Sequence, residues 1–297
     1  MHRRQFLAVT GTAALAASTS LAKSITNVIF PRSMPLADQF REAKNAGFQG
    51  IEIRLGEREQ LNVTTSRDDA MRIGDAARST GIEIVSLWVS DPLSANPLNH
   101  SDPALRAKGV DALHQAIDVA RALGCGALLI VPGRIGEGPR FRFGYHDSWD
   151  RISAELRKLI PHATEAKVLL TPENVWNKFL VSPLEMRAFV DQFQSPWLQT
   201  HFDIGNVMQF GYPQDWILTL GPRIKRLHAK DYKLSERAEQ GRFVDLLEGD
   251  VQWKEVMAAL NKIGYRGFIS PEYGYNAQEP GYIKKISKAL DQILEMA

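Results

Sequence analysis

The sequence predicts an α/β fold in which eight strand–helix units close into a (β/α)8 barrel, the TIM barrel. From residue 25 onward, short β-branched segments alternate with longer amphipathic segments, the pattern of repeated strand–helix units around a parallel sheet. Eight such units fit a closed barrel better than an open, doubly wound sheet. No Gly-x-Gly-x-x-Gly motif follows the first predicted strand, so a dinucleotide-binding domain is not expected.

The predicted strands are short runs of apolar and β-branched residues, and they cover residues 25–30, 50–54, 82–88, 127–131, 168–171, 198–203, 224–228 and 267–272. The predicted helices lie between them, over residues 35–46, 68–80, 102–123, 148–166, 183–194, 213–220, 253–263 and 280–296. An oxygen-bearing side chain before a proline marks two helix starts, at Asp102 and Ser182. Three other helices end before Gly47, Gly81 and Gly264, because glycine readily adopts the left-handed conformation that stops a helix.

The composition is that of an ordinary globular protein. Of the 297 residues, 44% are hydrophobic and 24% are charged, which excludes disordered and collagen-like chains. The 36 basic and 34 acidic residues give a formal charge of +2, so the balance does not indicate nucleic acid as a partner. A single cysteine, Cys125, excludes an internal disulfide and any metal site built from several cysteines.

The N-terminus is predicted to be a twin-arginine export signal over residues 1–22, followed by one barrel domain over residues 23–297. It contains Arg3 and Arg4, a short apolar stretch over residues 8–17, and Ser20-Leu21-Ala22, a typical cleavage pattern. The apolar stretch is too short for a stable membrane anchor. The alternative is a frayed cytoplasmic N-terminus, but the pattern favours a periplasmic or exported protein.

Polar residues end the last four predicted strands, where barrel enzymes carry their catalytic groups. These residues are Glu173, Asp203, His228 and Glu272. Three carboxylates sharing one site would repel each other and raise their pKa values, whereas a divalent cation would let all of them stay ionised. The set therefore predicts a site for one Mn²⁺, Mg²⁺, Co²⁺ or Zn²⁺ ion, although any one of the carboxylates taken alone could cap a helix or form an ion pair.

Four motifs around these residues read Glu173-Asn-Val-Trp-Asn-Lys-Phe, Phe-Asp203-Ile-Gly-Asn, Leu-His228-Ala-Lys-Asp and Pro-Glu272. In this order they resemble the sugar phosphate isomerase/epimerase family of xylose isomerase-like barrels, most closely its L-ribulose-5-phosphate (L-xylulose-5-phosphate) 3-epimerase branch. The resemblance covers residues 25–295 and is strongest from residue 170 onward. It implies that all four residues bind the metal and that Glu173 and Glu272 also act as the catalytic acid and base.

Five other residues are candidates for the sugar site. Glu52 and Trp88 end the second and third predicted strands, and Trp88 could instead pack in the barrel. Asn206 would contact the substrate or a metal ligand. Lys230 would orient the substrate or pair with its neighbour Asp231. His201 lies two residues before Asp203 in the same predicted strand, so its side chain would point to the same side but deeper in the barrel. The segment 232–250 is too long for a simple connection, so it either folds over the site or extends into solvent.

The leading interpretation is a metal-dependent carbohydrate isomerase or epimerase that transfers protons next to a carbonyl through an enediolate. Loss of a leaving group from that enediolate would give a keto-sugar or keto-glycoside lyase or dehydratase instead, and a non-catalytic sugar-binding protein is the third alternative. Asn206 and Leu234 stand where free-sugar 3-epimerases usually carry histidine and arginine, which argues against a tagatose- or psicose-type enzyme. Export argues against a phosphorylated substrate. The expected partner is a small carbohydrate, and a homo-oligomer is compatible with the sequence.

Overall fold

The computed structural model describes residues 21–136, 143–235 and 241–296, and in them a nearly closed eight-stranded parallel barrel. The barrel strands are β1 (Ala22–Thr26), β2 (Gly50–Leu55), β3 (Glu83–Val89), β4 (Ala127–Ile130), β5 (Leu169–Pro172), β6 (Thr200–Asp203), β7 (Ile224–Ala229) and β10 (Phe268–Pro271). Their order is β5-β4-β3-β2-β1-β10-β7-β6. The parallel bridges Leu170–Leu198 and Glu173–His201 bring β5 beside β6 and close the ring. The predicted (β/α)8 fold is confirmed.

The helices lie between the strands, as the alternating pattern predicts. They are α1 (Leu36–Asn45), α2 (Arg67–Thr80), α3 (Asp91–Ala95), α4 (Pro103–Leu123), α5 (Tyr145–Ala166), α6 (Pro183–Asp191), α7 (Ile204–Val207), α8 (Pro213–Leu220), α9 (Trp253–Lys262) and α10 (Tyr282–Leu294). The Asp102 side chain caps α4, and Ser182 forms a capping box with Glu185 at the start of α6. Gly81 ends α2 at φ 70°, where a left-handed residue is required.

The first strand differs from its prediction. It runs over Ala22–Thr26 instead of residues 25–30, because Ala22 and Lys23 pair with Phe268 and Ile269 of β10, and residues 27–29 form a 3-10 turn. The predicted export signal lies outside the described residues except for its last two positions. Of these, Ala22 is the first residue of β1. Within the described part of the chain, no helix is long and apolar enough to cross a membrane.

A short hairpin that the sequence did not predict follows β7. It pairs β8 (Asp231–Lys233) with β9 (Arg242–Val244) in antiparallel register. The hairpin and the chain that follows it are held by Asp231, whose buried carboxylate accepts hydrogen bonds from the backbone N–H groups of Tyr232, Leu247 and Val251 and from Trp253 Nε1. The described parts of the segment, residues 232–235 and 241–250, are therefore held through Asp231 instead of extending freely into solvent, and Asp231 does not serve as an ion-pair partner for Lys230.

Replacing Asp231 with asparagine should destabilise the protein by about 3 kcal/mol, because the buried donors lose the charged acceptor and the amide turns its own N–H groups toward them. Urea unfolding followed by circular dichroism measures the loss. Asp111→Asn, at an exposed position of α4, is the matched control and should leave the free energy of unfolding within about 0.5 kcal/mol of the parent value. Equal stability of the two variants would contradict the role given to Asp231.

Candidate active site

The four predicted metal ligands meet at one end of the barrel. Asp203 and His228 lie in β6 and β7, and Glu173 and Glu272 directly follow β5 and β10. One ligand atom from each residue lies within 4.8 Å of a ligand atom of every other. Because β5, β6, β7 and β10 are consecutive around the ring, Glu173 and Glu272 stand at the two ends of a four-strand arc, with Asp203 and His228 between them.

His228 is at the centre of this group. Its Nδ1 atom lies 3.2 Å from Glu173 Oε1, 3.0 Å from Glu272 Oε2 and 3.7 Å from Asp203 Oδ2. Burial alone would lower the pKa of His228, but the carboxylates of Glu52 and Glu272 outweigh burial and raise this pKa well above its ordinary range. In the absence of a metal ion, the imidazolium therefore supplies positive charge to the carboxylates.

Lys230 supplies the second positive charge. Its Nζ atom lies 3.0 Å from Asp203 Oδ2 and 2.6 Å from Glu272 Oε2. Burial would lower the pKa of Lys230, but Asp203 and Glu272 reverse that effect and raise it above its ordinary range. Lys230 thus contacts two of the predicted metal ligands and does not pair with its neighbour in sequence.

The two outer glutamates titrate differently. Burial raises the pKa of Glu173 to about 7, although its hydrogen bond with His228 acts in the opposite direction. Burial also acts to raise the pKa of Glu272, but the charges of His228 and Lys230 outweigh it and hold this pKa well below its ordinary range. In the metal-free protein Glu272 is therefore ionised at neutral pH, while Glu173 titrates close to neutrality.

The residues present fit a divalent cation. Asp203 Oδ2 is buried and accepts no hydrogen bond from the described residues. Lys230 Nζ lies 3.0 Å away and forms an ion pair with it. Burial raises the pKa of the Asp203 carboxyl. A buried carboxylate oxygen without a hydrogen bond is costly, and in the absence of a metal ion the Lys230 charge offsets this cost. Three carboxylates and one imidazole form a donor set suited to Mn²⁺, Mg²⁺, Co²⁺ or Zn²⁺.

Two asparagines hold the Asp203 loop in place. The backbone N–H of Asp203 donates to Asn174 Oδ1 at 2.8 Å, and Asn174 Nδ2 donates back to the Asp203 carbonyl at 2.9 Å. The backbone N–H of Asn206 donates to Asp203 Oδ1 at 2.8 Å, and its amide donates to the Asn174 carbonyl at 3.0 Å. The backbone of Asn206 thus contacts Asp203, a predicted metal ligand, and its side chain contacts Asn174, whereas its contact with the substrate stays a prediction. Asn174 was missed, although it directly follows Glu173 in the sequence motif.

Glu52 lies behind His228, on the side away from the four ligands. It is 1% exposed, and its Oε1 atom accepts a hydrogen bond from His228 Nε2 at 2.9 Å, while Ser86 Oγ donates to its Oε2 atom. This arrangement fixes the imidazole so that Nδ1 faces Glu173 and Glu272, as carboxylates do behind metal-binding histidines. A contact with His228 therefore replaces the predicted sugar contact of Glu52.

The other two candidates lie deeper or to one side. His201 is 1% exposed and both of its ring nitrogens lack hydrogen-bond partners, and burial lowers its pKa well below the ordinary range, so the ring is neutral. Its centroid is 4.1 Å from that of His228, and its Nδ1 lies 4.0 Å from Glu52 Oε2. Trp88 is half-buried and packs against Arg54, whose guanidinium carbon is 4.9 Å from the ring centroid.

Glu52→Gln is expected to weaken metal binding about 10–100-fold, because an amide orients the imidazole less strongly and removes the negative charge behind it. Calorimetric titration of the metal-free protein with Mn²⁺ measures the change. Glu83→Gln, at the exposed first position of β3, is the matched control and should bind Mn²⁺ as the parent does. Unchanged affinity in Glu52→Gln would contradict the positioning role.

Comparison with known proteins agrees with this geometry. The sequence profile of the family described as "Xylose isomerase-like TIM barrel" matches residues 40–293. L-ribulose-5-phosphate 3-epimerase of Escherichia coli O1:K1 is 24% identical over 283 residues, which cover 92% of this chain and 95% of that protein. Among solved structures, an L-ribulose 3-epimerase superposes with a TM-score of 0.75 at 20% identity, covering 93% and 95% of the two chains. The 3-keto-D-glucoside 4-epimerase of E. coli superposes at 0.72 and 12% identity, covering 92% and 98%.

Proposed function

Since the chain belongs to the xylose isomerase-like TIM barrel family, we propose that it is a metal-dependent carbohydrate isomerase or epimerase that works by proton transfer next to a carbonyl. The observation that carries the proposal is the pair Glu173 and Glu272, which stand at opposite ends of the four-strand arc around His228. Relatives named as sugar 3-epimerases support it, including one aligned over 92% of the chain.

The metal would be held by Glu173, Asp203, His228 and Glu272. A divalent cation bound there would withdraw charge from the carbonyl of a ketose and make the neighbouring C–H bond more acidic. The protein orients the predicted ligands through two further residues. Glu52 keeps His228 turned toward the site, and Lys230 pairs with Asp203 and Glu272, so a cation bound there would take over these two carboxylate contacts.

The two glutamates would move the proton. Glu272 takes the proton from the carbon next to the carbonyl, and the electron pair of the broken C–H bond forms the enediolate. Glu173 returns a proton to the opposite face of that carbon, and the carbonyl forms again. The reverse reaction exchanges the two roles. The configuration at one carbon is inverted, and no atom is lost.

The same proton abstraction would serve isomerisation if the proton returned to the neighbouring carbon, and elimination if a leaving group departed. Product analysis distinguishes these outcomes. The Mn²⁺-loaded protein is incubated with free ketoses, inososes, 3-keto-glycosides and pentulose phosphates, and the products are examined by NMR and mass spectrometry. A new isomer of unchanged mass is expected. Loss of water or of an aglycone would assign a lyase, and no conversion of any compound would favour a sugar-binding protein.

We further propose that the mature enzyme is exported and acts on an unphosphorylated carbohydrate. The twin arginine at Arg3 and Arg4 and the small-residue pattern ending at Ala22 support export. Phosphorylated pentoses are cytoplasmic intermediates, so an exported enzyme would seldom meet them. Cell fractionation tests the proposal: the parent protein is expected in the periplasm, and replacement of Arg3 and Arg4 by lysine is expected to retain it in the cytoplasm. Equal cytoplasmic retention of both proteins would contradict it.

A further inference from the structure

A wall of exposed aromatic side chains lies beside the candidate active site. It consists of Trp176, Phe210 and Phe243, which are 48%, 58% and 41% exposed. Phe243 stacks on Trp176 with ring centroids 5.2 Å apart and an interplanar angle of 27°, and Phe210 meets Trp176 edge-on at 6.3 Å. Single exposed hydrophobic residues are common, but a contiguous group of three large aromatic rings marks a binding surface. We refer to these three residues as the aromatic wall.

The topology places the aromatic wall on the same side of the barrel as the metal ligands. Trp176 lies in the loop after β5, Phe210 in the chain after β6, and Phe243 in the hairpin after β7. These three strands also carry Glu173, Asp203 and His228 at or next to their carboxyl ends. The aromatic wall therefore lines the same half of the barrel mouth as the predicted catalytic residues.

Direct contacts connect the two. The indole Nε1 of Trp176 donates to the Asn206 carbonyl at 2.9 Å, and the Asn206 backbone N–H donates to Asp203 Oδ1. Lys230 Nζ lies 5.3 Å from the Phe243 ring centroid and 2.6 Å from Glu272 Oε2. A ligand that occupies the carboxylate cluster would thus meet the aromatic wall as its next neighbour.

The aromatic wall is firmly supported. Tyr232 is buried behind it, with its ring centroid 5.8 Å from that of Trp176 and 5.2 Å from that of Phe243. Its hydroxyl donates to Gln209 Oε1 at 2.7 Å and accepts from the Gly241 N–H at 2.8 Å. A fixed aromatic surface binds a ring with little loss of its own conformational freedom, which favours a ligand site.

A cavity of about 670 Å³ opens along the aromatic wall, lined by Trp176, Phe210 and Tyr232 together with the polar Gln209 and the exposed Lys178. Its volume lies within the range of about 300–1,000 Å³ that is usual for small-molecule sites, and its lining combines apolar rings with a few polar groups. Aromatic rings stack on the C–H face of a sugar ring or on a planar aglycone, and Lys178 is the one charged side chain among the described lining residues. Lys230, the lysine that contacts the cluster, is already bound by Asp203 and Glu272.

We infer that the aromatic wall is a subsite for the second ring of a glycoside whose reacting sugar occupies the carboxylate cluster. The inference rests on the proposed function and specifies its substrate class: an unphosphorylated carbohydrate that carries a further sugar ring or an aromatic aglycone. A second sugar ring and an aromatic aglycone both present a flat apolar face, which the rings of Trp176, Phe210 and Phe243 would recognise.

Ligand binding tests the subsite without any turnover. The Mn²⁺-loaded protein is titrated with cellobiose, 4-nitrophenyl β-D-glucoside, glucose and glucose 6-phosphate, and saturation-transfer NMR gives the dissociation constants. At least one two-ring ligand is expected to bind about tenfold more tightly than glucose. Preference for cellobiose identifies a second sugar, and preference for the nitrophenyl compound identifies an aromatic aglycone. Equal affinity for one-ring and two-ring ligands, or tightest binding of glucose 6-phosphate, overturns the inference.

Two wall variants complete the test. Phe210→Ala removes a ring that meets Trp176 edge-on, and Trp176→Ala removes the centre of the wall; each is expected to lose the tenfold preference. Met71→Ala, which removes an exposed apolar side chain from α2, is the matched control and should retain the preference. If the variants keep the parent's affinities, or if Phe210→Ala only converts a dimer to a monomer in analytical ultracentrifugation, the wall does not bind a sugar.

The binding test of the subsite and the activity test of the proposed function can give different results. A two-ring preference in a protein that isomerises none of the tested sugars supports the subsite and counts against the reaction. Isomerisation of a free monosaccharide by a protein with no two-ring preference supports the reaction and overturns the subsite.

Discussion

Glu272→Gln is expected to lower the rate of carbohydrate isomerisation by about 10²–10⁴-fold, because the amide cannot accept the proton from the substrate carbon. Glu173→Gln is expected to have an effect of the same order, since it removes the group that returns the proton. The measurement is the initial rate on the substrate identified by product analysis. Glu165→Gln, at an exposed position of α5, is the matched control and should keep the parent rate.

The two variants should also differ in a way that simple damage to the site would not produce. If each glutamate serves one face of the carbon, each variant retains exchange of solvent deuterium into one epimer and loses exchange into the other. Because both residues also belong to the predicted metal-ligand set, Mn²⁺ binding is measured in parallel and the rates are compared at saturating metal. Full activity of either variant would remove that residue from the acid–base pair.

Removal of the metal is expected to produce the second large effect. Dialysis against EDTA should abolish turnover and lower the melting temperature, because a ligand that binds only the native state stabilises it by about 4 kcal/mol at a thousand times its dissociation constant. The protein should remain folded, since His228 and Lys230 continue to compensate the carboxylates. Differential scanning calorimetry with and without Mn²⁺ measures the difference.

Asp203→Asn makes the metal experiment specific to the site. This variant should lose most of the melting-temperature increase that Mn²⁺ gives the parent, because the amide is a weaker ligand and carries no charge. Asp111→Asn, on the exposed face of α4, should retain the full increase. A parent protein whose melting temperature and activity are the same with EDTA and with Mn²⁺ would contradict the metal site.

The sequence predicted the barrel correctly where the signal is local, and the structure brings the four predicted metal ligands together. Strands of a parallel barrel are short apolar runs, and the polar residue that follows each run marks the mouth, which is why Glu173, Asp203, His228 and Glu272 are found together. Glu52 was assigned to the mouth as the polar residue that ends the second predicted strand. β2 continues to Leu55, so Glu52 lies deeper, beneath His228.

Contacts between distant parts of the chain were beyond such reasoning. Lys230 and Asp231 are neighbours in sequence, but adjacent residues of an extended segment point to opposite sides, so one contacts the carboxylate cluster while the other holds the hairpin. The aromatic wall combines residues from three separate loops, and their spacing along the chain follows no helix or strand period. Only the three-dimensional structure brings them together.

The central claim is that this site transfers a proton at a carbon next to a carbonyl. Its most direct test is the incorporation of solvent deuterium, followed by NMR and mass spectrometry, when the Mn²⁺-loaded protein and its Glu173→Gln/Glu272→Gln double variant are incubated in D₂O with ketoses and 3-keto-glycosides. We predict that the parent protein incorporates one deuteron at the carbon next to the carbonyl of its substrate, with no loss of water or aglycone, and that the double variant incorporates none. Isomerisation without deuterium incorporation, or incorporation that persists in the double variant, would contradict the account.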